Sequence, residues 1–431
     1  MVIKNNVAKK KGGFFTIEQS NLQDFGSLYI NNTSEEGGIY YGVDNVFEIN
    51  LFENCSFYNN SGRMSLFSII NSKEILFINV NFENNINILF FILSVNVTLL
   101  NSNVNNLNCI SDVIAGCVAF CFHQSSLKII NGSFKNITHE NLNNGIHLED
   151  SELILNGAIF KTMRGFLDSP SFISASFSII LILNSHFQDY GYNVINLISS
   201  HLDLRFSKFV IDQENNFKSS NLHGSIFCSF CKTIFIDSCD FYGNYGALNG
   251  GAIQIYKNDL FLEEEKYLII NSNFTNNSAL EKGGAIYLIE SSLSLFNCEF
   301  KDNNAKFGGA IYSEANYNDN NEKVLTLRKC QFLYNRAFYD GGAIKWISIR
   351  PIIEETYFDE NKALYGNNLA SFPLRMNLSI IDDEINKEIY LNPNEIPLLK
   401  DCHSGGKFRF SIKVIFIDHD NIAVASLNSK L

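Results

Sequence analysis

"SLSLFNCEFKDNNAKFGGAIY", Ser292 to Tyr312, carries in one line the features that decide the fold. From Ser292 to Phe300 polar and apolar residues alternate, which is the period of a strand and not of a helix. Asn297 stands three residues before Phe300, Asn303 stands three after it, and Gly-Gly-Ala-Ile follows from Gly308 to Ile311. Phe and Ile favour strands, whereas Asn and Gly favour turns. The stretch therefore reads as short strands, each stopped by a turn residue.

The same features recur along the chain. Phe-x-x-Asn is found at Phe57/Asn60, Phe82/Asn85, Phe241/Asn244, Phe274/Asn277, Phe300/Asn303, Phe332/Asn335 and Phe358/Asn361. Gly-Gly-Ala-Ile begins at Gly250, Gly283, Gly308 and Gly341. An asparagine precedes the phenylalanine position at Asn54, Asn79, Asn131, Asn184, Asn271 and Asn297, with Asn101 before Val104 in the same pattern. Phe274, Phe300, Phe332 and Phe358 are spaced 26, 32 and 26, and Phe134, Phe160 and Phe187 keep the rhythm where the motifs are poorer. Even Asn5 to Gly13 aligns without a gap on Asn276 to Gly284.

A repeat of about 25 residues holding two or three strands is the mark of a parallel β-helix. The reading is an all-β, right-handed parallel β-helix, a single-stranded solenoid of about 13–14 coils and roughly 65 Å at the strand spacing. Like residues then lie above one another. Stacked Phe fills the interior, stacked Asn exchanges amide hydrogen bonds at a turn, and the Gly pair serves a corner where φ is positive.

The expected domains are the β-helix over 1–370, a proline-containing linker or cap over 371–404, and the first strand or strands of a further β domain over 405–431. The chain starts at a mid-coil turn, without an apolar leader. It is expected to be an internal piece of a longer protein.

The 431 residues carry a net charge of -12, with 46% hydrophobic residues and only 5 prolines. The acidic balance argues against a nucleic-acid partner or an anionic-lipid surface, both of which need clustered Lys and Arg. The most apolar runs, Ile88 to Val95 and Phe177 to Leu183, are far shorter than the roughly 18 residues a membrane span requires. A membrane connection is expected only through parts of the protein outside this chain.

Gly-Gly-Ala-Ile together with Phe-x-x-Asn resembles the repeat pair of the chlamydial polymorphic outer-membrane proteins, whose passenger regions are β-helical adhesins. The asparagine-rich, proline-poor chain also resembles large pectin-lyase-fold surface proteins of ciliates. In those the exit sequence, here Tyr365 to Met376, leads into further β repeats. The resemblance implies the extracellular face of a membrane in the full-length protein.

Many parallel β-helices are polysaccharide lyases or hydrolases, so a carbohydrate-active enzyme is the alternative reading. Such sites line acidic residues and a base along one outer face. The coils lack the Asn-Thr-Asp and Gly-His-Gly signatures, their acids are scattered, and Asp382-Asp383 lies beyond the last coil. No catalytic residue, metal ligand or cofactor is assigned. Cys55, Cys239, Cys298 and Cys330 each stand two residues before a repeat Phe and read as buried structural thiols. Cys228 and Cys231 lack the further ligands of a zinc site.

Two coils carry long extensions after the Gly-Gly-Ala-Ile strand, Tyr256 to Tyr267 and Ser313 to Lys323. They are separated by one short coil and so are expected to emerge from one edge, about 10 Å apart. Asp259, Glu263, Glu264, Glu265, Asp319 and Glu322 would form an acidic ledge there, a contact for calcium or a partner. The expected function is a non-catalytic extracellular scaffold or adhesion module whose partner is a protein or glycan.

Overall fold

A computed structural model describes the chain except residues 21, 36, 45–48, 110–115, 140–143, 166–170, 191–192, 212–223, 257–265, 316–323, 374, 383–386, 391–409, 419–428 and 431. The described chain is a parallel β-helix with no helices. One side is a 13-stranded parallel sheet, to which Leu293–Phe296 belongs. Two further columns, containing Glu299–Lys301 and Ile311–Glu314, merge into a 29-stranded sheet. A 4-stranded sheet made of Ala247–Asn249, Ala279–Lys282, Asn304–Phe307 and Arg336–Asp340 adds a fourth side to the C-terminal coils.

Left-handed corners make the turns. The residue three before the phenylalanine position has φ near +50° at Asn54, Asn79, Asn101, Asn131, Asn184, Asn271 and Asn297. The residue two after it does the same at Asn59, Asn84, Asn136, Asn276 and Asp302. Asn tolerates this region better than other non-glycine residues, which explains its abundance in the chain. At Gly308 φ is +62°, and a Cβ on Gly309 would stand 2.1 Å from the Gly342 carbonyl oxygen of the next coil. The first glycine of the pair supplies the dihedral and the second lets one backbone pass close to another.

The interior is built of columns. Tyr29, Phe57, Phe82, Val104, Phe134, Phe160, Phe187, Phe209, Phe241, Phe274, Phe300, Phe332 and Phe358 pair in register from one coil to the next. Ring centroids of Phe274 and Phe300 are 4.7 Å apart with planes at 3°, and Phe300 and Phe332 repeat both values. The strand spacing itself imposes this stacking, because the side chains have nowhere else to go.

Two asparagine columns differ in burial. In the outer one, Asn79, Asn101 and Asn131 each donate Nδ2 to the Oδ1 of the preceding coil's Asn54, Asn79 and Asn101, at 3.1, 3.4 and 3.3 Å. Asn297 does the same to Asn271 at 2.9 Å, while Asn184 reaches Asn156 instead. These side chains are exposed. The inner column is the asparagine of Phe-x-x-Asn, and it is buried. Asn303 Oδ1 accepts from both the N–H and the Nδ2 of Asn277 at 3.0 Å. Its own Nδ2 donates to the Phe274 carbonyl and to Asn335 Oδ1, each at 2.9 Å. That satisfies the full capacity of an amide side chain. The column runs through Asn6, Asn32, Asn60 and Asn85, and again from Asn244 to Asn361. Between these stretches Leu107, Ile137 and Met163 fill the place with apolar side chains. Tyr190 and Ser225 donate their hydroxyls to Asn244 Oδ1, so the second stretch starts with its acceptor capped.

Burial also sets a pH limit. Burial pushes the Cys55 thiol up to about 11 and Cys239 to about 12, and it raises the Tyr29 and Tyr190 phenols well above their ordinary value. A folded value above the unfolded one means that stability is complete below the unfolded value and is lost as pH climbs from it toward the folded value. Among the described residues two groups work in the opposite direction at alkaline pH: burial lowers Lys345, and the hydrogen bond with Cys298 lowers Cys330. Thermal melts are expected to show Tm constant between pH 7 and about 8.5 and falling steadily above about 9.5. A Tm that holds through pH 11 would contradict this.

Arg375–Asp382, inside the segment expected as a linker or cap, is a strand. It pairs antiparallel with Phe410–Ile417 on one side and Lys387–Tyr390 on the other, and Ser429–Lys430 completes a 4-stranded sheet. Pro373 precedes this strand and does not interrupt it. The sheet abuts the last coil. Tyr365 donates its hydroxyl to Asp418, and Phe416 packs on Tyr365 and Ala370. Lys345, only 5% exposed, donates to the Ser371 carbonyl at 2.6 Å and to Asp340 Oδ2 at 3.2 Å. Tyr365→Phe leaves Asp418 buried with one donor fewer, a loss of about 2 kcal/mol. Hydrogen exchange is expected to speed up in 375–382 and 410–417 and to stay unchanged in coils before 300. Unchanged exchange in the sheet would show that the contact does not hold it.

Candidate functional site

All six acidic residues of the expected ledge, Asp259, Glu263, Glu264, Glu265, Asp319 and Glu322, lie outside the described residues, but the roots of both extensions are described. Ile253–Tyr256 launches the first and Ile311–Glu314 the second, with Ile286–Ile289 between them. Tyr256 pairs in register with Ile289, and Ile289 with Glu314. Both extensions therefore leave from one column, two coil rises or about 10 Å apart.

Beside these roots is a group that the sequence reading missed. Lys282 Nζ donates to Glu314 Oε2 at 2.9 Å and lies 4.7 Å from the Tyr312 ring centroid and 5.3 Å from that of Tyr287. Tyr287 donates its hydroxyl to the same carboxylate oxygen at 3.2 Å. Lys282 ends a fourth-side strand just before its Gly-Gly corner, and Tyr287 and Tyr312 follow Gly-Gly-Ala-Ile in consecutive coils. The strand folds back over the outer tyrosine column, so outward-pointing side chains are covered. Lys11 and Tyr41 repeat the arrangement near the other end, with Nζ 2.7 Å from the hydroxyl and 4.3 Å from the ring centroid. The signal was present in the sequence as Lys-Gly-Gly followed one coil later by Tyr, at a distance too great for local reading.

Burial and the shared carboxylate set the electrostatics of this group. Burial alone would lower the Lys282 ammonium, but the Glu314 carboxylate outweighs it and holds Lys282 above its ordinary value. Burial, reinforced by Glu314, raises the Tyr287 phenol, and burial pushes Tyr312 up to about 12. The arrangement is an ion pair clasped between two rings, worth more here than on an open surface because it is half-buried.

Among the described residues no group of three or more His, Cys, Asp or Glu could hold a metal ion. Cys55, Cys239, Cys298 and Cys330 are buried free thiols in the slot before the phenylalanine column. Cys298 and Cys330 stack on each other in adjacent coils. Cys228 and Cys231 form a disulfide across one corner, with Cα atoms 5.9 Å apart.

The fold and its corners define a β-helical repeat protein, and within it residues 271–288 and 297–314 match the Chlamydia polymorphic membrane protein repeat. A transmembrane domain-containing protein of Dictyostelium discoideum is 31% identical over 132 residues, which are 28% of this chain and 8% of that protein. The chain thus spans a small fraction of that relative's length. A solved PL6 alginate lyase bound to a trisaccharide covers 83% of this chain and 87% of its own at 10% identity, with a TM-score of 0.28. The matches to membrane-protein repeats and to a transmembrane relative fit a surface protein of a membrane. Among the described residues no helix is long and apolar enough to cross one.

Proposed function

We propose that the chain is a non-catalytic scaffold or adhesion module on the extracellular face of a membrane, part of a larger anchored protein of the kind found as large surface proteins in ciliates. The observation that carries this reading is the common root of the two extensions at Tyr256 and Glu314. A solenoid grows by adding coils, and loops inserted at one side of successive coils build its binding edge. The occupant is an extracellular protein or glycan, and the acidic residues of the extensions also suit calcium.

The test is to replace 257–265 and 316–323 by the short corner found at Glu290–Ser291. The expected result is an intact rod by circular dichroism, with loss of calcium-dependent binding to cells or to a glycan array. Unchanged binding by the deleted form would overturn the proposal.

A further inference from the structure

The outer face of the 13-stranded sheet is more apolar than a solvent-facing sheet requires. Alternation should place polar residues outside when one face packs on the core. Instead, Ile179, Leu181 and Leu183 all point outward in one strand, beside Ile154 of the coil before. At the flanking corners Phe177 is 66% exposed and Phe206 56%, while Ile179 itself is 54% exposed. These corners, at Phe177 and Phe206, are tight single-residue turns with positive φ, so neither corner folds back over the patch. A contiguous apolar patch of this kind marks an interaction surface.

We infer that a second copy of this chain docks on this face, with a two-fold axis running along the Ile179–Leu183 strand. The column of outward residues at the strand ends supports this occupant. In register it reads Glu53, Ile78, Leu100, Ile130, Asn156, Leu183, and then Arg205, Asp237, Ile270, Phe296, Arg328. Leu183 is its midpoint. Rotation about that strand sets Glu53 opposite Arg328 of the second copy, Ile78 opposite Phe296 and Leu100 opposite Ile270. Ile130 meets Asp237 and Asn156 meets Arg205; in the middle column Ile154 meets Asp203, and at the other end of the strands Glu152 meets His201. No like charges face each other along this column. An isologous interface must be self-complementary in this way.

The area is sufficient. Eleven coils at about 4.8 Å and five residues at about 3.3 Å give a face of roughly 850 Å² on each copy, or about 1,700 Å² in all, the size of a standard stable interface. The two rods would lie antiparallel, sheet against sheet, about 10 Å apart.

Sedimentation equilibrium of the 431-residue chain tests the inference. The wild type is expected to be a dimer at micromolar concentration. Ile179→Lys with Leu181→Lys should weaken the dimer at least about 100-fold, with far-UV circular dichroism and denaturation unchanged because both side chains lie outside the core. Glu53→Arg should weaken it about threefold at low salt, and adding Arg328→Glu, together with Glu354→Gln to remove the carboxylate that Arg328 holds within its own chain, should restore contact between positions 53 and 328. Since these two positions lie ten coils apart in one chain, rescue reports contact between copies. A wild type that sediments as a monomer, a lysine variant that stays dimeric, or a charge swap without rescue would each overturn the inference. Monomers that float with neutral phosphatidylcholine vesicles would overturn it in favour of a lipid surface.

Discussion

Asn303→Ala is expected to destabilise the C-terminal coils by about 4 kcal/mol. The loss is not of a single hydrogen bond. Asn303 Oδ1 accepts from the N–H and Nδ2 of Asn277, and its Nδ2 donates to the Phe274 carbonyl and Asn335 Oδ1. Alanine leaves two donors of Asn277 buried without an acceptor, and water does not reach them because these asparagines are fully buried. Each orphaned group costs about 1–3 kcal/mol, more than the net worth of a satisfied bond. Asn297→Ala is the control. Asn297 makes one similar bond to Asn271 in the exposed column, where water replaces the lost partner, so its cost should stay near 1 kcal/mol, most of it the left-handed φ of +53° that alanine tolerates less well than asparagine. Because a solenoid unfolds locally, the readout is hydrogen exchange of the coils between 271 and 340. Equal losses from Asn297 and Asn303 would show that the inner column holds nothing the outer one does not.

Phe300→Ala is expected to cost about 4 kcal/mol for a different reason. Its ring lies between those of Phe274 and Phe332 at 4.7 Å on each side. Strand register fixes both neighbours, so they cannot collapse into the space, and the cavity term stays at full size. Phe300→Val should be milder, about 2 kcal/mol, since Val104 occupies the same column in another coil. Phe296→Ala, on the outside of the adjacent strand, should change stability by less than about 1 kcal/mol. Denaturation midpoints measured in one buffer compare all three. If Phe296 and Phe300 cost the same, the phenylalanine column is not the packing element.

The column architecture was legible because its signals are local. Alternation from Ser292 to Phe300 fixes inside and outside, while Asn and Gly fix the corners. The two asparagine columns were harder to tell apart. Both Asn297 and Asn303 sit three residues from Phe300, and only the folded chain shows that one faces solvent while the other turns inward. The 375–382 strand was hidden for another reason. Its partner, Phe410–Ile417, lies far along the chain, and antiparallel pairing over that distance leaves no periodic trace. The clasp of Lys282, Tyr287, Tyr312 and Glu314 was invisible because it spans coils and depends on a strand folding back over an outward column. The expected acidic ledge was legible only as insertions. What the fold adds is that their roots share one column.

Distance measurement between spin labels at Lys135 and Lys301 tests the stacking most directly. The two positions share an outward column, linked in register through Lys161, Gln188, Val210, Tyr242 and Thr275. Six coil rises predict one narrow distribution centred at about 29 Å, despite more than a hundred residues of intervening chain. A broad distribution, or a centre beyond about 40 Å, would contradict the register on which every column depends.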